Sequence, residues 1–155
     1  MNAVIRELAG QHGQLLRSRD EALAPFLRVR ARQIAPPADA SPAARSFLNW
    51  MQDSFLPHLR DEEELLRPQL ARTERGEELF ATLRSCHDRL RKLAEQAREE
   101  MQLLIEDSGI RDAWWDTLEI SSLWAFENAM ERHFEYENRE LLPAATALSA
   151  ASALL

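Results

Sequence analysis

Apolar residues recur at steps of three and four along four long stretches of the chain, which places them on one face of an α-helix in each stretch. Only four glycines occur in 155 residues, and the strong helix formers Ala, Leu, Glu and Arg are abundant. Four helices joined by short loops favour an all-α, antiparallel up-down-up-down four-helix bundle. We therefore predict one domain over residues 1–155, with its core at about 2–143 and an Ala/Ser-rich tail at 144–155.

Proline, glycine and aspartate mark the boundaries between the predicted helices. We expect these helices at about residues 2–34, 41–68, 77–108 and 112–143. Ser41 is expected to cap the second helix, with Pro42 at its first helical position, and Gly109 is typical of a stop. Four prolines are expected to bend or end their helices, namely Pro25, Pro57, Pro68 and Pro143. Residues 144–155 either extend the fourth helix or fray.

The charge and the single cysteine narrow the class of protein. The net charge is −7 and no basic run stands free of acidic neighbours, which argues against a nucleic-acid partner. No stretch is apolar for long enough to span a membrane, and the first residues do not resemble a signal peptide. Cys86 is the only cysteine, so no intramolecular disulfide can form. These features predict a cytoplasmic protein without a membrane or nucleic-acid partner.

The four histidines fall one on each predicted helix, each on the apolar face. The second and the fourth are each followed four residues later by a glutamate, and an i, i+4 pair projects from one side of a helix. Packing the helices together would collect these side chains at one place inside the bundle. The predicted metal ligands are His12, His58, Glu62, His87, His133 and Glu137.

The spacing of these residues repeats, as if one helix hairpin had been duplicated. The first two histidines are 46 residues apart, and so are the last two. Buried carboxylates without partners cost several kcal/mol each, and two divalent cations would remove that cost. Four imidazoles and two bridging carboxylates favour iron or manganese, with zinc as an alternative. We predict two iron or manganese ions, oxo- or hydroxo-bridged, with coordination positions left open for a ligand.

These residues resemble the hemerythrin-like family, whose pattern is histidine, His-x-x-x-Glu, histidine and His-x-x-x-Glu on successive helices. The stretches FLPHLRDEEELLRP and HFEYENRELLP are similar to its two metal-binding segments, and the resemblance covers about residues 5–143. Myohemerythrin, a relative, is a known four-helix bundle. The resemblance implies a di-iron protein that binds, senses or responds to O2, NO or iron, with a small diatomic or peroxide molecule as its ligand.

The chain departs from two groups within that family. Oxygen carriers have a second histidine on the third helix, where this chain has Arg91 and Leu83 four residues either side of His87. They also use aspartate five residues after the last histidine, where this chain has Asn138. Members that repair iron–sulfur clusters carry an extra histidine within what are here residues 13–57, and this chain has none before His58. The departures argue against reversible oxygen carriage and against that repair activity.

Two other functions stay open from the sequence. The same centre could serve an enzyme that reduces peroxide, oxidises Fe(II) or repairs iron centres. The bundle could instead be a metal-free helical interaction module whose histidines fill the core. The sequence does not set the oligomeric state and is compatible with a dimer.

Several neighbours of the predicted ligands have open roles. Glu63 is expected on a solvated face or as a further ligand. Glu140 is expected on the buried side, one turn after Glu137, and is another candidate for a further ligand. Tyr136 would hydrogen-bond near the site or point along a helix interface. Arg91 would enter the site or lie at the surface. Cys86 is expected to pack as a small apolar residue.

Overall fold

The computed structural model describes residues 3–107, 114–115 and 121–152, and no strand occurs within these ranges. The helices are α1 (Ala3–Arg30), α2 (Ser41–Trp50), α3 (Leu56–Leu70), α4 (Glu74–Glu106), α5 (Ser122–Tyr136) and α6 (Leu142–Ser152). A π-helical turn, Met51–Phe55, joins α2 to α3, and a second one, Glu137–Leu141, joins α5 to α6. Helix α1, the α2–α3 unit, helix α4 and the α5–α6 unit form a four-helix bundle, so the predicted all-α bundle is confirmed.

Side-chain caps explain where two of these helices begin. Oγ1 of Thr73 accepts a hydrogen bond from the backbone amide of Gly76 at 3.0 Å, and Oγ of Ser121 accepts one from Trp124 at 3.2 Å. Each bond satisfies an amide that has no partner inside the helix. Gly76, which lies just before the predicted start of the third helix at about residue 77, therefore belongs to the first turn of α4.

The prolines were expected to bend or end helices, and the structure shows two different outcomes. Pro25 and Pro68 lie inside α1 and α3, which continue beyond them. Pro57 and Pro143 each follow a π turn by two residues. Proline lacks an amide hydrogen and crowds the carbonyl four residues earlier. The preceding amides of Leu56 and Leu142 instead bond carbonyls five residues back, and each helix then continues.

The fourth bundle helix does not end at Pro143, because the residues that follow extend it through α6 to Ser152. The predicted stop at Gly109 and the predicted start near Asp112 lie outside the described residues. Within the described ranges, no helix combines the length and apolar character that crossing a bilayer requires.

The buried apolar residues form two clusters, and the predicted site lies between them along every bundle helix. In α1, Leu8 belongs to one cluster and Leu15 to the other, with His12 between them. In α4, Leu83 and Leu90 flank His87 in the same way. The polar layer is therefore closed above and below by apolar side chains, which exclude water from it. The aromatic part of the larger cluster is Phe26, Phe47, Trp50, Phe55, Trp114, Trp115, Phe126 and Phe134.

Candidate metal centre

All six predicted ligands lie in the buried polar layer. Each exposes 6% of its surface or less, and both glutamates expose none. Helix α1 supplies one histidine, α3 supplies the His-x-x-x-Glu pair, and α4 supplies another histidine. The remaining pair spans the end of α5 and the second π turn. Helical spacing thus aims each pair into the bundle, as the sequence predicted.

The imidazole rings form two pairs, one from each half of the chain. The ring centres of His12 and His58 lie 4.9 Å apart at an interplanar angle of 76°. Those of His87 and His133 lie 4.8 Å apart at 72°. Such edge-to-face pairs present nitrogen atoms from two helices to one region of space. We call these the α1/α3 pair and the α4/α5 pair.

The carboxylate of Glu62 contacts both pairs. Its Oε1 lies 3.6 Å from Nε2 of His12, while its Oε2 lies 3.3 Å from Nε2 of His87. Oε2 is also 4.0 Å from Nε2 of His58 and 4.0 Å from Nε2 of His133. One carboxylate therefore reaches all four imidazoles.

The carboxylate of Glu137 also extends between the two pairs. Its Oε2 lies 3.3 Å from Nε2 of His12, and its Oε1 lies 2.5 Å from Nε2 of His133. Like Glu62, it presents one oxygen to each half of the site. Two carboxylates in this arrangement could each bridge two cations.

Candidate ligand atoms cluster in two overlapping groups. Those of Glu62, His87, His133 and Glu137 lie within 4.8 Å of one another, and so do those of His12, His58 and Glu62. The model of the hemerythrin HHE cation-binding domain matches residues 3–145 of the chain. No curated protein and no solved structure matches the chain significantly. The chain belongs to the hemerythrin family.

The imidazoles and carboxylates of this site fit the cation that gives the family model its description. Nε2 of all four histidines and both oxygens of both glutamates are buried without a hydrogen-bond partner. Leaving buried polar atoms unpaired costs roughly 1–3 kcal/mol each. Eight such atoms facing one another are explained if their partners are metal ions, because imidazole and carboxylate are both metal ligands.

The protonation states of this hemerythrin site also suit metal binding. Burial lowers the pKa of His58 to about 4 and that of His133 to about 3. Both rings are therefore neutral at pH 7, which is the form that ligates metals. Burial and the facing charge of Glu62 raise the pKa of Glu137 well above its ordinary value. Burial also opposes ionisation of Glu62, but the imidazoles of His12 and His87 outweigh it and lower its pKa.

A second carboxylate orients one of the imidazoles from outside. Nδ1–H of His87 donates a hydrogen bond to Oε1 of Glu63 at 2.7 Å, and Nη2 of Arg91 donates to the same oxygen at 2.7 Å. Glu63 was predicted to lie on a solvated face or to be a ligand, and Arg91 to enter the site or lie at the surface. The structure gives both of them a supporting role behind His87. In the sequence, only one feature indicated the role of Glu63: it is an acidic residue directly after the first His-x-x-x-Glu pair.

Three further neighbours of the site have defined positions. Glu140, expected on the buried side, is exposed, and that expectation was wrong. The π turn takes more residues to complete than an α turn, so the residue that returns to the core after Glu137 is Leu141. Tyr136 is half-buried with its hydroxyl enclosed and unpaired. Cys86 is half-buried, and burial raises the pKa of its thiol.

Two pockets each have one predicted ligand in their lining. A cleft of about 320 Å³ is lined in part by His58, and its polar lining includes Asp53 and Asp61. A smaller cavity of about 160 Å³ is lined in part by His133, and its charged lining residues are Arg89 and Arg132. The α1/α3 pair therefore borders an acidic entrance, and the α4/α5 pair borders a basic one.

Proposed function

We propose that this chain binds two iron ions between His12, His58, Glu62, His87, His133 and Glu137. The observation that supports this most strongly is the set of eight buried imidazole and carboxylate atoms that face one another without hydrogen-bond partners. In a metal-free bundle these atoms would be destabilising. Cation binding by the family supports the same conclusion.

The number of ions follows from the two carboxylates. Each presents one oxygen to the α1/α3 pair and one to the α4/α5 pair, so each can bridge two ions. Every ion would then have two imidazole nitrogens and two carboxylate oxygens. A six-coordinate metal with four protein donors keeps positions free for a small ligand. Mixed nitrogen and oxygen donors favour iron, with manganese and zinc as the competing metals.

The proposed activity is to bind, sense or respond to O2, NO or iron. When bound, iron supplies a change of oxidation state and open coordination positions for a diatomic or peroxide ligand. The chain itself supplies imidazoles and carboxylates, apolar side chains above and below them, and a pocket beside each half of the site. We place this activity in the cytoplasm, because the chain has one cysteine and no disulfide framework.

The decisive experiment measures metal content directly. Protein purified without chelator or metal-affinity resin is analysed for metals, then stripped, loaded anaerobically with Fe(II) and exposed to air. We expect two irons per chain and a new charge-transfer absorption in the near ultraviolet. Glu62→Gln should lower the iron content, whereas Glu64→Gln, on the neighbouring exposed residue, should not. Less than one iron per chain after loading contradicts the proposal.

A second candidate function is an enzyme that reduces peroxide or oxidises Fe(II). The cavity at His133 favours it, because the oxidisable side chains Cys86 and Tyr136 line that cavity together. A steady-state assay separates the two functions. A binding protein stops after one equivalent of peroxide or Fe(II) per site, whereas an enzyme continues for many.

A further inference from the structure

The two halves of the duplicated motif differ at the residue that follows the ligand glutamate. In the first half this residue is Glu63, which accepts the hydrogen bond from Nδ1–H of His87. In the second half it is Asn138, which is exposed. His12 occupies the position in the first hairpin that His87 occupies in the second, and its buried Nδ1 has no hydrogen-bond partner. Of these two corresponding histidines, only His87 therefore has its Nδ1 fixed by a hydrogen bond.

The support behind His87 is itself fixed by charge. Glu63 exposes 21% of its side chain and accepts from Arg91, whose other terminal nitrogen donates to Asp88 at 3.2 Å. His87 and Arg91 both donate to the same oxygen, Oε1, which fixes the position of this carboxylate behind the imidazole ring. A carboxylate on Nδ1–H directs the lone pair of Nε2 inward and makes the ring a stronger donor.

The two pairs also differ in what surrounds their entrances. The cleft at His58 carries Asp53 and Asp61 and no arginine or lysine among its lining residues. The cavity at His133 carries Arg89 and Arg132 and no carboxylate. An acidic entrance raises the local concentration of cations, and a basic one lowers it. Metal cations should therefore enter and leave on the α1/α3 side.

We propose that the two metal positions are inequivalent: the position at the α4/α5 pair holds its ion tightly, and the position at the α1/α3 pair exchanges its ion through the acidic cleft. This inference rests on the proposed two-metal site. The tight position has four candidate ligands close together, Glu62, His87, His133 and Glu137, and the support of Glu63. Because the ion at the α1/α3 pair exchanges, the occupancy of that position depends on the surrounding metal concentration. The occupancy therefore changes with the concentration of free iron.

The test is an anaerobic titration of the stripped chain with Fe(II) against a competing chromophoric chelator. We expect two binding steps whose dissociation constants differ by more than tenfold. Glu63→Gln should weaken the tighter step by roughly 10- to 100-fold and leave the weaker step unchanged. Glu64→Gln serves as the matched control, because it makes the same change at the next, exposed residue. His12→Ala should retain one tightly bound ion, whereas His87→Ala should lose it.

A second variant tests the same hydrogen-bonded contact without changing Glu63, in case Glu63→Gln does not fold. Arg91→Gln leaves Glu63 in place and removes the group that fixes it, so it should weaken the tighter step in the same direction. Far-ultraviolet circular dichroism of the metal-free variants checks that each is folded. Asp53→Asn combined with Asp61→Asn should slow loading of the second ion several-fold in stopped-flow mixing, while the affinity of the tighter step stays unchanged.

The outcomes separate this inference from the proposed function. Binding of two ions with equal affinity overturns the inference and leaves the two-metal site intact. The inference also fails if Glu63→Gln and Arg91→Gln leave both steps unchanged or weaken both equally, or if the aspartate variants load at the wild-type rate. Absence of any bound iron overturns the proposed function itself.

Discussion

Oε1 of Glu137 lies 2.5 Å from Nε2 of His133, one turn earlier in the same bundle helix, and neither atom has a hydrogen-bond partner. The raised pKa of Glu137 and the lowered pKa of His133 show that burial opposes charge on both groups. In the metal-free protein the pair therefore gains little from ionising. A cation held by both side chains would offset the cost of their charge, which gives the pair a functional explanation.

The first prediction concerns Glu137→Gln. Without metal, the variant should be more stable than the wild type by about 1 kcal/mol, because it no longer buries an ionisable group beside Glu62. Its metal content should fall from two ions to one or fewer. Thermal unfolding of stripped protein and elemental analysis of loaded protein measure the two effects. A less stable apo variant with full metal content would instead assign Glu137 a purely structural role.

The second prediction concerns removal of the metal from the wild type. A ligand that binds only the folded state adds about 2.7 kcal/mol when its free concentration is 100 times its dissociation constant. Stripping the loaded protein with chelator should therefore lower its melting temperature by several degrees. The double variant Glu62→Gln, Glu137→Gln is the control and should melt at the same temperature with and without Fe(II). A wild type that melts unchanged after stripping would show that no ion had been bound.

The sequence predicted the helices and the six clustered side chains because both depend on local spacing. A step of three or four residues determines which side of a helix a residue faces, and the i, i+4 spacing determines that His58 and Glu62 point together. The helical repeat of the core followed from the same rule, and nothing beyond local periodicity was needed for these features. The helix start at Ser41 was predicted from residue types instead. Helix α2 does begin at Ser41, but its cap is Ala40, with no side-chain hydrogen bond, so the predicted capping role of Ser41 was wrong.

Two features depend on more than local spacing, and the sequence did not show them. The contact between Glu63 and His87 joins α3 to α4, so it is set by how the two helices rotate and pack against each other. The outward position of Glu140 depends on a π turn, which shifts the register relative to a regular helix. In hindsight Pro143 marks that turn, since the five-residue hydrogen bond ends immediately before it.

The third prediction concerns pH and Glu127, which lies on α5 outside the metal layer and is 9% exposed. Burial and the nearby Glu131 raise its pKa, while Arg19 and Arg30 oppose the rise. The folded state therefore favours the protonated carboxyl. That contribution to stability is present below the unfolded pKa and is lost as the pH rises through the higher folded pKa.

Glu127→Gln should consequently stabilise the protein at pH 7, by roughly 0.5 kcal/mol, and have no effect near pH 4. Denaturant unfolding at both pH values measures the difference. Glu135→Gln, an exposed position on the same helix, should change stability little at either pH. Destabilisation by Glu127→Gln at pH 7 would mean that its attraction to the arginines exceeds the cost of burial.

The fourth prediction concerns the turn that holds α3 against α4. A Cβ on Gly76 would lie 1.8 Å from the carbonyl oxygen and 2.7 Å from the carbonyl carbon of Leu70, so Gly76→Ala requires the backbone to move. We expect a loss of about 1–3 kcal/mol in the free energy of unfolding. Since α3 carries Glu62 and α4 carries His87, the shift should also weaken metal binding.

Gly10→Ala is the matched control for that variant. Gly10 is exposed within α1, and a Cβ there would meet nothing within 4 Å. Alanine should therefore stabilise the helix by up to about 1 kcal/mol, because it lowers the entropy lost on folding. Opposite signs for the two glycine variants in denaturant unfolding would show that close packing of the α3–α4 turn, rather than helix propensity, requires glycine at position 76. Equal stability of Gly76→Ala and the wild type would mean that the turn can relax without cost.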